Sequence, residues 1–339
     1  MKKLLVMLLG LSLATTGVFA AGTQATQPVQ VKAVFGSEPA TLDPALNRDV
    51  PGAIYLSHAF EGLYKYEDSG NGVAQVVPGI ALDAPSKVVN PNGEVVLTFR
   101  LKGYIKWSDG KPVTANDFVY SWQRLVDPAT EAPYSAVLDA VKNAKEIRNG
   151  VDGVSKTDLG VKALDDQHLE VTLTFDAPDF FETTAFPATF PVRQDIIERA
   201  GAAWASDPAT YVSNGPYYLV EWVHNDHLLF EKNPNYYGYF NKETGSYETD
   251  KLYGPKELYF YLQDDGLKTL QGFSEGEFNF IKTIPASELQ KLRDVGRVRI
   301  AKVGDSSNSE LPYLVDDALI GTFYNQLGYF FFKNVRLAW

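Results

Sequence analysis

The chain has 339 residues, of which 45% are hydrophobic and 22% are charged, a composition that supports one large or two smaller packed domains and excludes a disordered or fibrous chain. Its 31 basic and 42 acidic side chains leave a formal net charge of -11, which argues against nucleic acid and anionic lipid as partners. The chain has no cysteine, which excludes disulfides, thiolate nucleophiles and cysteine metal ligands.

The first twenty residues have the pattern of a secretory signal peptide. Two lysines precede an apolar run at Leu4–Leu13, and small residues follow up to Ala20. This pattern predicts export with cleavage after Ala20. Because Ala21 offers no thiol for lipid attachment, we expect a free periplasmic protein. No later run approaches the ~20 apolar residues of a membrane helix, so we expect no direct membrane insertion.

The first predicted elements after this segment are a strand, a helix, a second strand and a capped helix. Apolar alternation predicts strands at Val29–Phe35 and Val95–Leu101. An apolar stretch predicts a helix from Pro51 to Leu63. A capping-box pattern begins a further helix at Thr114, and Pro128 ends it.

The remaining predicted elements alternate between the two types. We predict helices at Pro133–Ile147, Gln194–Ala203, Gly266–Ser274 and Ala286–Asp294, and strands at Val161–Leu164, His168–Phe175, Gly215–Val223, Leu228–Lys232, Glu257–Leu262, Phe278–Ile281 and Val298–Val303. Mixed strands and helices along the whole chain indicate an α/β or α+β fold. The sequence contains no internal repeat and no low-complexity segment.

Three patterns resemble catalytic or metal sites, and each has a simpler interpretation. Gly272–Gly276 has the spacing of a nucleophile elbow around Ser274, but a predicted helix precedes it where that motif needs a strand. His224 and His227 lie at a predicted hairpin tip without a third metal ligand. The three pairs of adjacent aspartates are better explained as surface turns. The residues themselves therefore give catalysis no support.

Four blocks of sequence, in this order, resemble one protein family. They are KWSDGKPVTANDFVYSWQ from Lys106, DPATEAPYSAVL from Asp127, DLGVKALDDQHLEVTL from Asp158 and YVSNGPYYLVEWV from Tyr211. From about Val31 to Trp339 the chain resembles the oligopeptide-binding proteins of peptide ABC transporters, solute-binding protein family 5. A receptor for murein peptides or dipeptides is the alternative within this class. An exported serine hydrolase and an inert fragment of a disrupted gene are the alternatives outside it.

The resemblance implies an α/β fold of the periplasmic-binding-protein-like type II class, with two lobes that close over a short peptide. It places a discontinuous first lobe at residues 21–60 and 194–321, an inserted subdomain at 61–193, and a crossover into the second lobe at 322–339. The rest of the second lobe is missing from the family pattern, so we expect a carboxy-terminally truncated form.

The resemblance also implies which residues line the peptide cleft. They are Arg48 and Val50 in one loop, Tyr134, Lys282 at a strand end, and Tyr324 with Gln326 at the crossover. It implies a non-enzymatic, monomeric protein without cofactor or metal, whose partners are short peptides and an inner-membrane ABC permease. On the residues alone, core packing or a surface position explains Tyr134 as well as a place in the cleft does. Arg48 and Lys282 are better explained as ordinary solvated side chains.

The expected truncation leads to a prediction about binding. One wall of a cleft cannot exclude water from a ligand or close around it, so we expect the 339-residue chain alone to bind peptides weakly or not at all. Calorimetry with tri- to pentapeptides tests this expectation, and micromolar or tighter affinity would contradict it.

Overall fold

The computed structural model describes residues 30–68, 74–241, 246–247, 255–282, 284–294, 299–302 and 310–315. The strands in chain order are β1 (Gln30–Gly36), β2 (Tyr64–Asp68), β3 (Ala74–Pro78), β4 (Ser86–Val89), β5 (Val95–Arg100), β6 (Val161–Asp165), β7 (His168–Leu173), β8 (Tyr217–Val223), β9 (His227–Lys232), β10 (Phe240–Asn241), β11 (Ser246–Tyr247), β12 (Glu257–Leu262), β13 (Phe280–Ile281), β14 (Arg299–Lys302) and β15 (Glu310–Val315). The α-helices are α1 (Val50–Ala59), α2 (Ala115–Val126), α3 (Ala144–Arg148), α4 (Phe180–Thr184), α5 (Gln194–Ala200), α6 (Gly266–Ser274) and α7 (Ala286–Asp294). Within these ranges, no helix combines the length and apolarity that crossing a membrane requires.

A mixed seven-stranded sheet has the strand order β14-β15-β13-β1-β12-β9-β8. The central strand β1 runs parallel to both of its neighbours, β12 and β13, whereas the other pairs are antiparallel. The ring of Phe35 packs between those of Phe260 and Phe280, with centroids 5.6 and 5.3 Å away. The predicted strand at Val29–Phe35 is therefore confirmed, shifted by one residue, as the centre of the sheet.

A second, four-stranded sheet is entirely antiparallel, in the order β4-β5-β7-β6. Helix α2 packs against β6 and β7. Its predicted capping box is confirmed, because the carboxylate of Asp117 accepts the backbone N–H of Thr114 at 2.7 Å. Phe118 and Trp122 lie on the inner face of the helix and are fully buried, as their helical spacing predicts.

Helix α1 is shorter than the sequence predicts. It ends at Ala59, because the backbone of Phe60 is extended, although apolar residues continue to Leu63. At this end the N–H of Gly215 donates to the carbonyl of Ala59 at 2.7 Å. A Cβ at position 215 would lie 2.6 Å from that carbonyl group, so only glycine permits this close approach.

The predicted helix at Pro133–Ile147 is wrong. The structure has a short 3-10 helix at Ser135–Leu138, and α3 begins only at Ala144. Asn143 between them has φ of +65°, a left-handed conformation that a continuous right-handed helix excludes. Similarly, the predicted helix at Gln194–Ala203 ends as an α-helix at Ala200, before Gly201 with its positive φ.

The buried hydroxyl of Tyr55 gives a stability prediction. Tyr55 in α1 is fully buried, and its Oη has no hydrogen-bond partner among the described residues. We expect Tyr55→Phe to raise the free energy of unfolding by about 1 kcal/mol, because an unsatisfied buried hydroxyl destabilises the folded state. The matched control is Tyr211→Phe, since the buried Tyr211 hydroxyl donates to the carbonyl of Leu42 at 3.0 Å.

Urea unfolding of both variants measures the difference. Tyr211→Phe is expected to lower the free energy of unfolding by about 1 kcal/mol, because it leaves the Leu42 carbonyl without its partner. A loss of stability in Tyr55→Phe equal to that in the control would contradict the prediction.

Candidate functional site

The carboxyl ends of two parallel strands define the edge at which the candidate site lies. β1 and β13 pair Ala33 with Phe280 and Val34 with Ile281, so both strands end at the same edge of the seven-stranded sheet. The loop after β1 leads there into α1, and Lys282 directly follows β13. This edge is where ligands bind in open sheets with parallel strands.

An open pocket with a volume of about 120 Å³ lies beside the start of α1. Three residues predicted to line the cleft, Arg48, Val50 and Tyr134, come together in its lining. The pocket is formed by Pro44, Asn47, Arg48, Asp49, Val50, Ala53, Tyr134, Phe186, Pro187 and Ala188. The walls therefore come from three segments that are distant in sequence.

The first wall is the loop that caps α1. The Oδ1 of Asp49 accepts the N–H of Gly52 at 2.6 Å, and its Oδ2 accepts the N–H of Ala40 at 3.0 Å. The side-chain amide of Asn47 donates to the carbonyl of Asp49 at 3.0 Å. These bonds fix the loop conformation and satisfy the N–H of Gly52 in the first turn of the helix.

Asp43 anchors this loop from below. Its side chain is buried and forms a bidentate pair with Arg124 of α2, with nitrogen–oxygen distances of 2.9 and 2.5 Å. The indole N–H of Trp204 donates to the same carboxylate at 3.2 Å, and so does the backbone N–H of Ala45 at 3.0 Å. The loop that forms the first wall is thereby fixed to α2, which packs on the four-stranded sheet.

The second wall is aromatic. Tyr134 is 39% exposed, and its ring meets that of Phe186 edge-on, with centroids 5.2 Å apart and planes at 80°. Behind this wall the hydroxyl of Thr189 donates to the carbonyl of Phe186 at 2.8 Å, and the indole of Trp122 donates to the carbonyl of Thr189 at 2.9 Å. The alternative of core packing for Tyr134 is therefore wrong, because its ring lines an open pocket.

Of the predicted cleft residues that the structure describes, Lys282 lies apart from this pocket. Lys282 does not belong to its lining; its backbone N–H donates to the carbonyl of Val34 at 3.3 Å. Burial lowers the pKa of the half-buried Lys282 ammonium group. Tyr324 and Gln326 lie outside the described residues.

Several contributors to the pocket were not predicted. Phe186, Pro187 and Ala188 have no sequence signal beyond that of ordinary apolar residues, and Asp43 is not among the residues predicted to line the cleft. The partner of Asp43 is Arg124, which lies 81 positions away in sequence. No local pattern could have joined these two residues.

The structure also shows how the residues of the two alternative motifs, the nucleophile-elbow pattern and the histidine pair, are arranged. Ser274 ends α6, a strand follows it, and its hydroxyl donates to the carbonyl of Leu270 at 2.9 Å, so the strand-turn-helix of a nucleophile elbow is not formed. His224 and His227 contact separate carboxylates, Glu38 at 2.6 Å and Asp226 at 2.6 Å. Across the described ranges, no group of three or more potential ligands could hold a metal ion.

An ion-pair network around Arg193 gives a prediction for pH dependence. The buried Arg193 donates to Asp109 at 2.8 Å and to Asp195 at 2.7 Å. The hydrogen bond from Arg193 holds the pKa of Asp195 well below its ordinary value. Since the unfolded-state pKa is about 3.9, the stabilisation is present above that pH and is lost as the pH falls below it.

We therefore expect the Tm of the protein to fall more steeply than that of Asp195→Asn as the pH decreases from about 5 to about 2. The variant lacks the carboxylate whose protonation breaks the network. Thermal unfolding followed by circular dichroism across this range measures both slopes. Parallel curves for the two proteins would show that Asp195 does not contribute to acid sensitivity.

Comparison with known proteins connects this fold to one family. A family model described as bacterial extracellular solute-binding proteins, family 5 Middle, matches residues 75–334. The periplasmic oligopeptide-binding protein OppA of Salmonella typhimurium is 39% identical over 236 residues, which cover 69% of this chain and 41% of OppA. The periplasmic murein peptide-binding protein MppA of Escherichia coli is 33% identical over 285 residues, covering 83% of this chain and 48% of MppA.

Solved structures support the same assignment. The crystal structure of Haemophilus influenzae OppA in complex with RPPGFSPFR matches with a TM-score of 0.70 and 30% identity, covering 82% of this chain and 51% of that one. The expected periplasmic-binding-protein-like type II α/β fold is thereby confirmed. The chain spans about half the length, or less, of the curated relatives that it matches. Because the family model covers well over half of the sequence, the chain belongs to family 5 of the bacterial extracellular solute-binding proteins.

Proposed function

We propose that this sequence forms one peptide-contacting wall of a monomeric periplasmic binding protein, which collects short peptides for an inner-membrane ABC permease. The observation that carries the proposal is the pocket at the carboxyl-end edge of the sheet, where Arg48, Val50 and Tyr134 meet. The names of the relatives, periplasmic oligopeptide-binding and murein peptide-binding proteins, support a peptide ligand. Because the family consists of solute-binding proteins, the proposed function is binding without catalysis.

The two walls suit a ligand that is recognised through its main chain. Val50 is the first residue of α1, so its N–H has no partner within the helix and is available to a peptide carbonyl. The rings of Tyr134 and Phe186 offer a flat apolar surface to side chains of many shapes. Main-chain hydrogen bonds combined with a tolerant apolar wall permit binding of many peptide sequences.

The residue ranges of the two larger sheets support the domain boundaries inferred from the sequence. Every strand of the four-stranded sheet lies within 61–193, the range assigned to the inserted subdomain. Every strand of the seven-stranded sheet lies within 21–60 or 194–321, the two ranges assigned to the first lobe. We propose that these ranges are the structural units, with the Asp43–Arg124 pair joining them beside the pocket.

Calorimetry tests the proposal with the native protein, purified from the cells that encode it, whereas the expectation of weak binding concerns the 339-residue chain taken alone. Tyr134→Ala is expected to weaken binding of an alanine-rich tetrapeptide by about tenfold, because the ligand loses one aromatic wall. Phe175→Ala is the matched control, since Phe175 is an exposed aromatic residue outside the pocket. Equal losses in both variants, or no peptide binding by the native protein, would overturn the proposal.

Two further measurements separate the alternative functions. Tighter binding of a murein tripeptide than of tri- to pentapeptides would favour a murein-peptide receptor, the activity named for the relative MppA. Chromatography of the peptides after incubation tests for hydrolysis. We expect unchanged peptides with the native protein and with Ser274→Ala, because Ser274 is not placed in a nucleophile elbow.

A further inference from the structure

We propose that Arg48 makes the pocket selective for a carboxylate of the bound peptide, an inference that rests on the proposed function. Arg48 lines the pocket and is exposed. Within the described part of the chain, no hydrogen bond or ion pair engages its guanidinium group. The pocket therefore presents an unpaired guanidinium group to whatever binds there.

The nearby acidic groups are already engaged. Asp49 is the one carboxylate in the described lining of the pocket, and its two oxygens accept the N–H groups of Gly52 and Ala40. The carboxylate of Asp43 is buried beneath the loop in its bidentate pair with Arg124. Neither carboxylate forms an ion pair with Arg48 in the described part of the chain, so the guanidinium group can contact a ligand directly.

The shape and polarity of the pocket indicate which anion it takes. Apart from Asn47, Arg48 and Asp49, its walls consist of proline, aliphatic and aromatic residues. A guanidinium group presents two parallel N–H donors that match the two oxygens of a carboxylate. The aliphatic stem of an acidic residue can pack on the apolar walls while its carboxylate meets Arg48.

The overall negative charge of the protein means that a preference for a carboxylate depends on the guanidinium group of Arg48. The formal net charge of the chain is -11, so the general field does not attract anions. A preference for a carboxylate must therefore arise from direct contact with Arg48. The pocket is open to solvent, so we expect the preference to weaken as the salt concentration rises.

Two groups on a peptide could supply the carboxylate, an acidic side chain or the chain end. The test uses the native protein and tetra-alanine peptides in which glutamate or its neutral isostere glutamine replaces each position in turn. Each peptide is measured with a free and with an amidated carboxyl end. The protein variants are Arg48→Gln and, as the matched control, Arg199→Gln, since Arg199 is an exposed arginine outside the pocket.

We expect at least one glutamate peptide to bind about tenfold more tightly than its glutamine counterpart, since a charge-assisted hydrogen bond contributes this much. Arg48→Gln should abolish the preference, whereas Arg199→Gln should retain it. If the preference survives amidation, Arg48 binds the side chain. If amidation of the glutamine peptides instead causes an Arg48-dependent loss, Arg48 binds the chain end, and the inference also holds.

Peptides that bind without any Arg48-dependent carboxylate preference would overturn this inference and leave the proposed function intact. A preference that persists in Arg48→Gln would overturn it in the same way. Failure of the native protein to bind any of the peptides would overturn the proposed function itself. The two failures are therefore distinguishable in one set of titrations.

Discussion

Asp43→Ala is expected to lower the free energy of unfolding by about 3–5 kcal/mol, because it leaves the mostly buried guanidinium group of Arg124, whose side chain is 16% exposed, without its carboxylate. The same change removes the acceptor for the indole of Trp204 and for the backbone of Ala45. Since Ala45 begins the loop that forms one wall of the pocket, we also expect weaker peptide binding. Urea unfolding and calorimetry measure the two effects.

A surface ion pair provides the control for Asp43. Asp176 pairs with Lys87 at 2.7 Å, but its side chain is 61% exposed, so Asp176→Ala is expected to change stability by less than about 1 kcal/mol. In the double variant Asp43→Ala with Arg124→Ala, the total loss should be smaller than the sum of the single losses, because no uncompensated charge remains. Equal small effects at Asp43 and Asp176 would contradict the anchoring role.

Trp122→Ala is the second change with a large expected effect, again a loss of about 3–5 kcal/mol in the free energy of unfolding. Trp122 is fully buried, and its ring contacts those of Phe118 and Phe180 edge-on. Its indole N–H also donates a hydrogen bond to the carbonyl of Thr189, behind the aromatic wall. We therefore expect the alanine variant to bind peptide more weakly as well as unfolding more easily.

Phe99→Ala is the control that separates the loss of stability in Trp122→Ala from its loss of peptide binding. Phe99 is also fully buried, but it lies in the four-stranded sheet and outside the pocket lining. Both variants should lose stability to a similar extent, whereas only Trp122→Ala should weaken peptide binding under conditions where both proteins remain folded. Equal peptide affinities for the two variants would show that the indole does not support the wall.

Local sequence patterns predicted the strands and helices in which apolar residues recur on the face that packs against the core. The strand at Val95–Arg100 alternates closely between buried and less buried residues, the strand at Gln30–Gly36 does so up to Ala33, and the helix at Ala115–Val126 follows its capping box. The failures occur where tertiary contacts decide the outcome. Helix α1 is buried on all sides, so its apolar pattern could not show that the close approach of Gly215 stops it at Ala59.

The candidate site was predictable only in part. Family resemblance indicated Arg48, Val50 and Tyr134, and the fold brings these three residues into one pocket. The contribution of Phe186 was missed, because its role depends on packing against Tyr134, 52 positions earlier in the chain. Periodicity shows that a residue faces a core or solvent, but it does not show which distant segment lies opposite.

The most direct test of the central claim is to identify what the native protein carries. The protein is isolated from the cells that encode it without added ligand, denatured, and the released small molecules are identified by mass spectrometry. Peptide binding predicts a mixture of short peptides of different sequences. Release of a single non-peptide compound, or of peptides only as products of added longer substrates, would contradict the account.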